Sequence, residues 1–232
     1  METYKYGTWR HPFAPRTPVF SSLSASELST LNSLEVKRSF AAGQALFRED
    51  EPAEYVYRVL EGRIKIIATS SEGRAHIVRV LYPGDVLGMS AVLARAPHEV
   101  EAVALISTAV ARIHADQFLD FLQKSPSGIA CVARALSEEY LDIAGDAKLL
   151  QIGNGTQGRV ARVLLACAPA DECHLTFPFF FTHDDLAAMA NCSRESVTRT
   201  FSIFKKHAFI HTSSELLTIL QPERLAGIAG LN

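Results

Sequence analysis

No stretch of this 232-residue chain approaches the roughly 18 consecutive apolar residues of a membrane-spanning helix. The start, Met1 to Thr17, carries Glu2, Lys5, Arg10, His11 and Arg16 and lacks the apolar core of a secretory leader. The reading is a soluble cytoplasmic protein with no membrane partner. There is no excess of charge of either sign: 23 Lys and Arg stand against 25 Asp and Glu. That excludes a uniformly basic nucleic-acid binder but leaves room for one local basic face. Cysteine is scarce, with four residues, none before Cys131 and no C-x-x-C, so a disulfide-stapled scaffold is excluded. Cys167, Cys173 and His174 lie close in sequence. Cys167, however, falls in the apolar stretch Ala161 to Ala168, where a thiol packs as a small hydrophobe, and no metal is expected there. The eight histidines are scattered with no His-x-His, and there is no Ser/His/Asp signature, P-loop or GxGxxG. These absences speak against an enzyme and leave a cupin-type metalloenzyme only as a remote alternative. No internal repeat or low-complexity segment is found.

What is present divides the chain in two. Hydrophobic residues make up 48% and charged residues 21%, the balance of a folded protein with a core. The first half reads as short strands: Leu34 to Phe40, Ala45 to Phe47, Tyr55 to Leu60, Arg63 to Ile67, His76 to Leu81 and Val100 to Ile113. Ala42-Gly43, Glu61-Gly62, Glu72-Gly73 and Pro83-Gly84-Asp85 punctuate them. A turn about every 8–12 residues predicts a β-sandwich or β-roll. From Pro126 the period changes. Ile129, Ala133, Leu136, Tyr140, Ile143, Ala147 and Leu150 recur at alternating steps of four and three, a heptad seam that predicts a helix paired with a second copy of the chain. The simpler reading of the same residues is an amphipathic helix lying on the roll. The helix is expected to stop near Ile152-Gly153-Asn154-Gly155, a hinge between domains. Another helix, Thr156 to Ala168, and a short strand pair around Leu175 to Phe181 follow.

Residues 182–207 carry the chemistry. Thr182 with Asp185 three residues on is a capping-box-like start. A first helix runs to about Ala190, with Leu186 and Met189 facing inward and small Ala187 allowing close approach of a neighbour. Asn191 stands where a tight turn needs positive φ, and Ser193 caps a second helix. At about 100° per residue, Arg194, Glu195, Thr198, Arg199 and Ser202 share one face, while Val197, Thr200, Phe201 and Phe204 share the opposite one. A capped helix, a short turn and a second helix with donors in its first turns form a helix-turn-helix, whose second helix reads base edges. Arginine is the usual reader of guanine, and glutamate accepts from cytosine N4. The local charge agrees: Arg194, Arg199, Lys205 and Lys206 face only Glu195 between Asn191 and His211. Phe209-Ile210 and Leu217 to Leu220 then read as a two-stranded wing, and His207 and His211, which straddle the helix end, are not expected to bind zinc.

Taken with Pro83-Gly84-Asp85-Val86-Leu87-Gly88, the heptad helix, Gly158-Arg159-Val160-Ala161 and Cys192-Ser193-Arg194-Glu195-Ser196-Val197-Thr198-Arg199, the chain from about Phe20 to Ile228 resembles the Crp/Fnr family of transcription regulators. The resemblance implies an α+β fold: an N-terminal extension (1–19, with Tyr4, Tyr6, Trp9 and Phe13), a jelly-roll-like sensor roll (20–125), a dimerisation helix (126–152) and a winged helix-turn-helix domain (153–232). It implies a homodimer that binds double-stranded DNA at a palindrome resembling TGTGA-N6-TCACA and meets RNA polymerase. Thr182, Ser193, Arg194, Glu195, Ser196, Thr198, Arg199, Lys205 and Lys206 would form the DNA face. No cofactor is expected. In family members that bind cyclic nucleotide, a Glu holds the ribose and an Arg-Ser pair holds the phosphate. The matching positions here are Met89, Glu99 and Val100, and the pair that meets the adenine falls on about Ala144-Gly145. The cyclic-AMP contacts are thus expected to be lost. The N-terminal cysteine cluster of the oxygen-sensing branch is missing, and Ser90 stands near the haem-histidine position of the gas-sensing branch. A member gated by haem, with His76 or His98 as ligand, or by an unusual nucleotide remains the alternative.

Overall fold

A computed structural model describes Phe13 and residues 15–151, 155–168, 175–213 and 215–231, with backbone only for 143–151. Among the described residues the chain forms two compact units, one of Pro15–Arg74 with Val78–Leu141, the other of the residues from Asp142 on together with Phe13 and Ala75–Ile77.

Strands β1 (Val36–Phe40), β2 (Ala45–Phe47), β3 (Tyr55–Glu61), β4 (Ile64–Thr69), β5 (Ala75–Leu81), β6 (Val86–Leu87), β7 (Glu101–Ala104) and β8 (Thr108–His114), which apart from Ala75–Ile77 belong to the first unit, make two four-stranded sheets. Their orders are β1-β8-β3-β6 and β2-β7-β4-β5, the roll expected from the turn spacing. The single extended run expected from Val100 to Ile113 is two strands. The chain bends at 105–107 because β7 and β8 belong to different sheets, and the Thr108 hydroxyl fixes the bend by accepting from the Arg63 N–H and donating its one proton towards the Ile106 carbonyl, with the Arg63 carbonyl also in reach. Side-chain alternation gives the β8/β3 sheet two apolar faces. Tyr57, Val59 and Val110 join Phe47, Ile64, Ile66 and Leu81 inside the roll. Val56 and Ile113 point the other way, into a second core with Leu31, Phe118, Phe121, Leu122, Cys131 and Val132.

That second core is built by helices, three of which interrupt the run of strands that the turn spacing predicts for this half. Helix α1 (Ala25–Ser33) is opened by a Ser24/Glu27 capping box. Helix α2 (Met89–Ala94) follows Gly88, whose φ of +85° and lack of a side chain are both needed: a Cβ there would lie 2.8 Å from the Tyr55 carbonyl oxygen. Helix α3 (Ala115–Lys124) inserts Phe118, fully buried against Phe20. Helix α4 (Pro126–Gln151) is the long helix. Its heptad residues do not behave alike. Ile129, Ala133 and Tyr140 are exposed, Ile129 to 52% and Tyr140 to 70%, whereas Leu136 is half-buried against the second core. An adjoining face, with Cys131 and Val132, is packed in the second core alongside Leu136. The helix therefore lies on the roll along one face and offers an apolar stripe along another. Ile143, Ala147 and Leu150 belong to α4, but their side chains lie outside the described residues, as do most of the glycine hinge, Cys173 and His174.

In the second unit, helix α5 (Thr156–Cys167) is followed by β9 (Leu175–Pro178), helices α6 (His183–Met189) and α7 (Arg194–Lys206), strands β10 (Ile210–Thr212) and β11 (Leu216–Ile219), and α8 (Pro222–Ala229). The strand pair expected around Leu175 to Phe181 is a single strand. It ends at Pro178 and completes the wing as a three-stranded sheet, β10-β11-β9. Burial pushes the Cys167 thiol on α5 up to about 12, so it stays protonated and packs as an apolar group.

Candidate nucleic-acid interface

The local sequence of residues 182–206 fixes a helix, a tight turn and a helix. Thr182 Oγ1 accepts from the Asp185 backbone N–H at 3.1 Å, and the Asp185 carboxylate accepts from the Thr182 N–H at 3.0 Å, a reciprocal cap on α6. Asn191 adopts φ +47° in the turn. Cys192 N–H then donates to the Ala187 carbonyl at 3.0 Å, and Ser193 Oγ accepts from Ser196 N–H at the start of α7. Leu186 is fully enclosed, while Met189, expected to face inward, is only half-buried because it lies at the last turn beside the bend.

The two faces of α7 are as the angular count requires. Val197, Thr200, Phe201 and Phe204 are buried, whereas Arg194, Glu195, Thr198, Arg199, Ser202, Lys205 and Lys206 are exposed. Thr182 and Ser193 are exposed at the two helix starts, and Ser196 is half-buried. Hydrogen bonds from its own backbone N–H and from Ser193 hold the Glu195 carboxyl below its ordinary range, with Arg194 and Arg199 adding to the effect, so it is a carboxylate at neutral pH. Arg199 Nη2 donates to Ser196 Oγ at 3.1 Å.

Three side chains that sequence spacing did not single out shape this surface. On α5, Arg159 Nε donates to the Ala190 carbonyl at 2.8 Å and Nη2 to the Asn191 carbonyl at 3.3 Å, tying down the C-terminal end of α6 and the turn. His183 packs against the Phe201 ring at 5.1 Å and places Nδ1 2.9 Å from Thr198 Oγ1. The Thr198 hydroxyl also reaches the Arg194 carbonyl, at 3.0 Å. Asp184 Oδ2 lies 3.6 Å from Arg194 Nη1. The signal for Arg159 was its place in Gly158-Arg159-Val160-Ala161. His183 and Asp184 have no signal in spacing alone, because their partners depend on how α6 crosses α7.

On the roll, Met89 is buried in the second core beside Val86 and Val92, Glu99 is exposed, and Val100 packs on the roll interior. His98 is buried, stacked on the Phe47 ring at 3.6 Å, and its burial lowers the imidazole pKa. It serves as a core aromatic. A small pocket on this unit is lined by Arg16, Arg79, Asp85, Arg134, Glu138 and Glu139. Arg79 reaches Glu139 at 2.9 Å and Asp85 at 3.9 Å. Arg16 is brought there by the segment after Phe13, whose Val19 N–H donates to the Gly84 carbonyl while Arg134 holds the Val19 carbonyl. Burial, reinforced by Arg79, lowers the Arg16 pKa to about 10. Among the described residues no group of three or more His, Cys, Asp or Glu is placed to hold a metal ion, and no helix is long and apolar enough to cross a membrane.

The cyclic nucleotide-binding domain matches residues 37–125, and the Crp-like helix-turn-helix domain matches residues 158–228. The nitrogen fixation regulation protein FixK of Bradyrhizobium diazoefficiens is 28% identical, over 91% of this chain and 89% of its own. The CRP-like cAMP-activated global transcriptional regulator of Mycobacterium tuberculosis is 23% identical, over 91% and 96%. The solved structure of FixK2 from Bradyrhizobium japonicum superposes with a TM-score of 0.71 at 23% identity, covering 84% of this chain and 96% of that one, which shows the shared fold.

Proposed function

The chain belongs to the Crp/Fnr family of transcription regulators, a transcription-factor family and not an enzyme family, and from that premise we propose that it acts as a cytoplasmic homodimer reading a palindrome of the form TGTGA-N6-TCACA. The observation that carries this reading is the outer face of α7. Arg194, Glu195, Thr198 and Arg199 stand exposed together, backed by Val197, Phe201 and Phe204 in the core. In a major groove, Arg199 and Arg194 bond bidentately to guanines and Glu195 accepts from a cytosine amino group on the opposite strand. Lys205, Lys206, Thr182, Ser193 and Ser196 serve phosphates and register, which carry no sequence information themselves. Residues 20–125 are the sensor, 126–152 the dimerisation helix and 153–232 the DNA-binding domain. RNA polymerase is the further partner that the family implies.

The sensor does not use the cyclic-AMP contacts of its nucleotide-binding relatives. A buried Met89 cannot hold a ribose hydroxyl, and a phosphate beside Glu99 meets like charge where it needs a donor. Calorimetric titration with cyclic AMP is expected to give no micromolar binding; a tight heat signature overturns this part alone. Selection of duplexes from a random pool tests the whole reading. The expected result is enrichment of a palindrome with half-site centres about one turn, 10–10.5 base pairs, apart. Glu195 is the sharpest single check. It repels phosphate and is useful only against a cytosine, so Glu195→Ala is expected to change base preference at one position. Unchanged preference overturns the placement of α7 in the groove.

A further inference from the structure

Asp184 sits in the first turn of α6 and aims its carboxylate at the recognition face of its neighbour. Its Oδ2 is 3.6 Å from Arg194 Nη1, and both side chains remain open to solvent, at 69% and 65% exposure. Its place is well defined. The reciprocal Thr182/Asp185 cap fixes the first turn of α6, and next to it His183 is anchored to Thr198 of α7. A carboxylate on a DNA-facing surface weakens binding to any phosphate backbone, so its position beside the first arginine of α7 calls for a compensating role.

We propose that Asp184 is a specificity-determining residue: it pairs with Arg194 so that this arginine reads a base edge and is withheld from phosphates. The proposal rests on the reading of α7 as the recognition helix. An unpaired exposed arginine neutralises whichever phosphate is nearest and adds to sequence-independent affinity. In water the pair with Asp184 is weak, because exposed ions are well screened. Its effect arises when DNA covers it. If Arg194 swings to a phosphate, Asp184 is left facing the polyanion in a dehydrating interface, where like charges repel strongly. If Arg194 instead reaches a guanine, the guanidinium can give two N–H groups to O6 and N7 while another stays on Asp184, since its five donors point along different edges. Only the base-reading pose satisfies every group. Discrimination then comes from penalising the wrong complex as well as favouring the right one.

The test uses the full chain, with fluorescence anisotropy on the duplex selected from the random pool and on a random-sequence duplex of equal length at the same salt concentration. Asp184→Asn keeps the shape and removes the charge. It is expected to tighten random-duplex binding by about fivefold and to change selected-site binding by less than twofold, so that the ratio between them falls. In an Arg194→Ala background the same substitution is expected to move both duplexes equally. Equal tightening of both duplexes in the parent background shows Asp184 to be bulk charge only and overturns the proposal. So does an unchanged ratio, or an equal fall in the ratio without Arg194. A pool that enriches no sequence fails the recognition-helix reading itself, and the proposal with it, before any variant is made.

Discussion

Ser125 Oγ donates to Glu27 Oε1 across 2.6 Å, joining α1 to the junction of α3 and α4. Ser127 donates to the same oxygen, and Ser24 Oγ donates to Glu27 Oε2 at 2.6 Å. One carboxylate thereby gathers hydroxyls from its own helix cap and from the start of the long helix.

These hydroxyls pull the Glu27 pKa from 4.5 to about 2, with Ser125 the largest contributor, then Ser127 and Ser24. The folded-state value is depressed, so the stabilisation is complete above the unfolded value and is lost as pH falls from 4.5 towards 2. Urea midpoints of the parent and of Glu27→Gln are expected to differ by a constant amount at neutral pH and to converge across that acid window. A difference that ignores pH would show that the hydroxyl cluster does not prefer the ionised form.

Asn191 holds φ +47° in the turn before α7. Asn191→Gly is expected to be tolerated, whereas Asn191→Val should cost about 1–2 kcal/mol because a branched Cβ resists the left-handed region. Chemical denaturation monitored by circular dichroism compares the two. Equal stability would mean that the turn relaxes to another conformation.

Arg199 and Lys206 are both exposed cations of α7 but have different tasks in the proposed complex. Arg199→Ala is expected to lose about 1–3 kcal/mol per half-site and to relax preference at one base pair. Lys206→Ala should weaken all sequences alike and flatten the salt dependence. Competition binding at several salt concentrations separates them, and identical profiles would defeat the assignment.

Ile129 and Tyr140 lie bare on the outer face of α4. Against a second copy of the helix they would be covered, and Ile129→Asp or Tyr140→Asp would then bury a charge twice about the axis. Sedimentation equilibrium is expected to give a dimer for the parent at micromolar concentration and a monomer for either aspartate variant. A monomeric parent refutes the dimer.

The roll and the two-faced helix α7 are legible because their signals are local. Turn glycines mark strand ends, and one amphipathic helix displays its own polar face. Helix α1 was not legible, since among Ser, Thr, Asn and Glu it buries only Leu31. Helix α3 leaves no boundary in the sequence, although Phe118, Phe121 and Leu122 share a face, because it follows β8 without a breaker. Strand β6, two residues long, shows no period at all. The same limit applies at the site: Arg194, Glu195 and Arg199 follow from 3.6-residue geometry, whereas Asp184 and His183 meet α7 only through the angle between two helices.

The register of β1 on β8 has a consequence for the order in which the protein is made. Val36 pairs with Arg112 and Phe40 with Thr108, and β3 takes the other side of the same late strand. On the ribosome β1 and β3 emerge long before β8, so that β1 has no strand partner and β3 only the two-residue β6 until His114 has cleared the exit tunnel. The winged unit carries its strands and helices within one later stretch and has far less to wait for. Nascent chains halted before β8 are therefore the ones that chaperones would hold and proteases would cut, and release past α3 would mark the moment at which the first half becomes resistant.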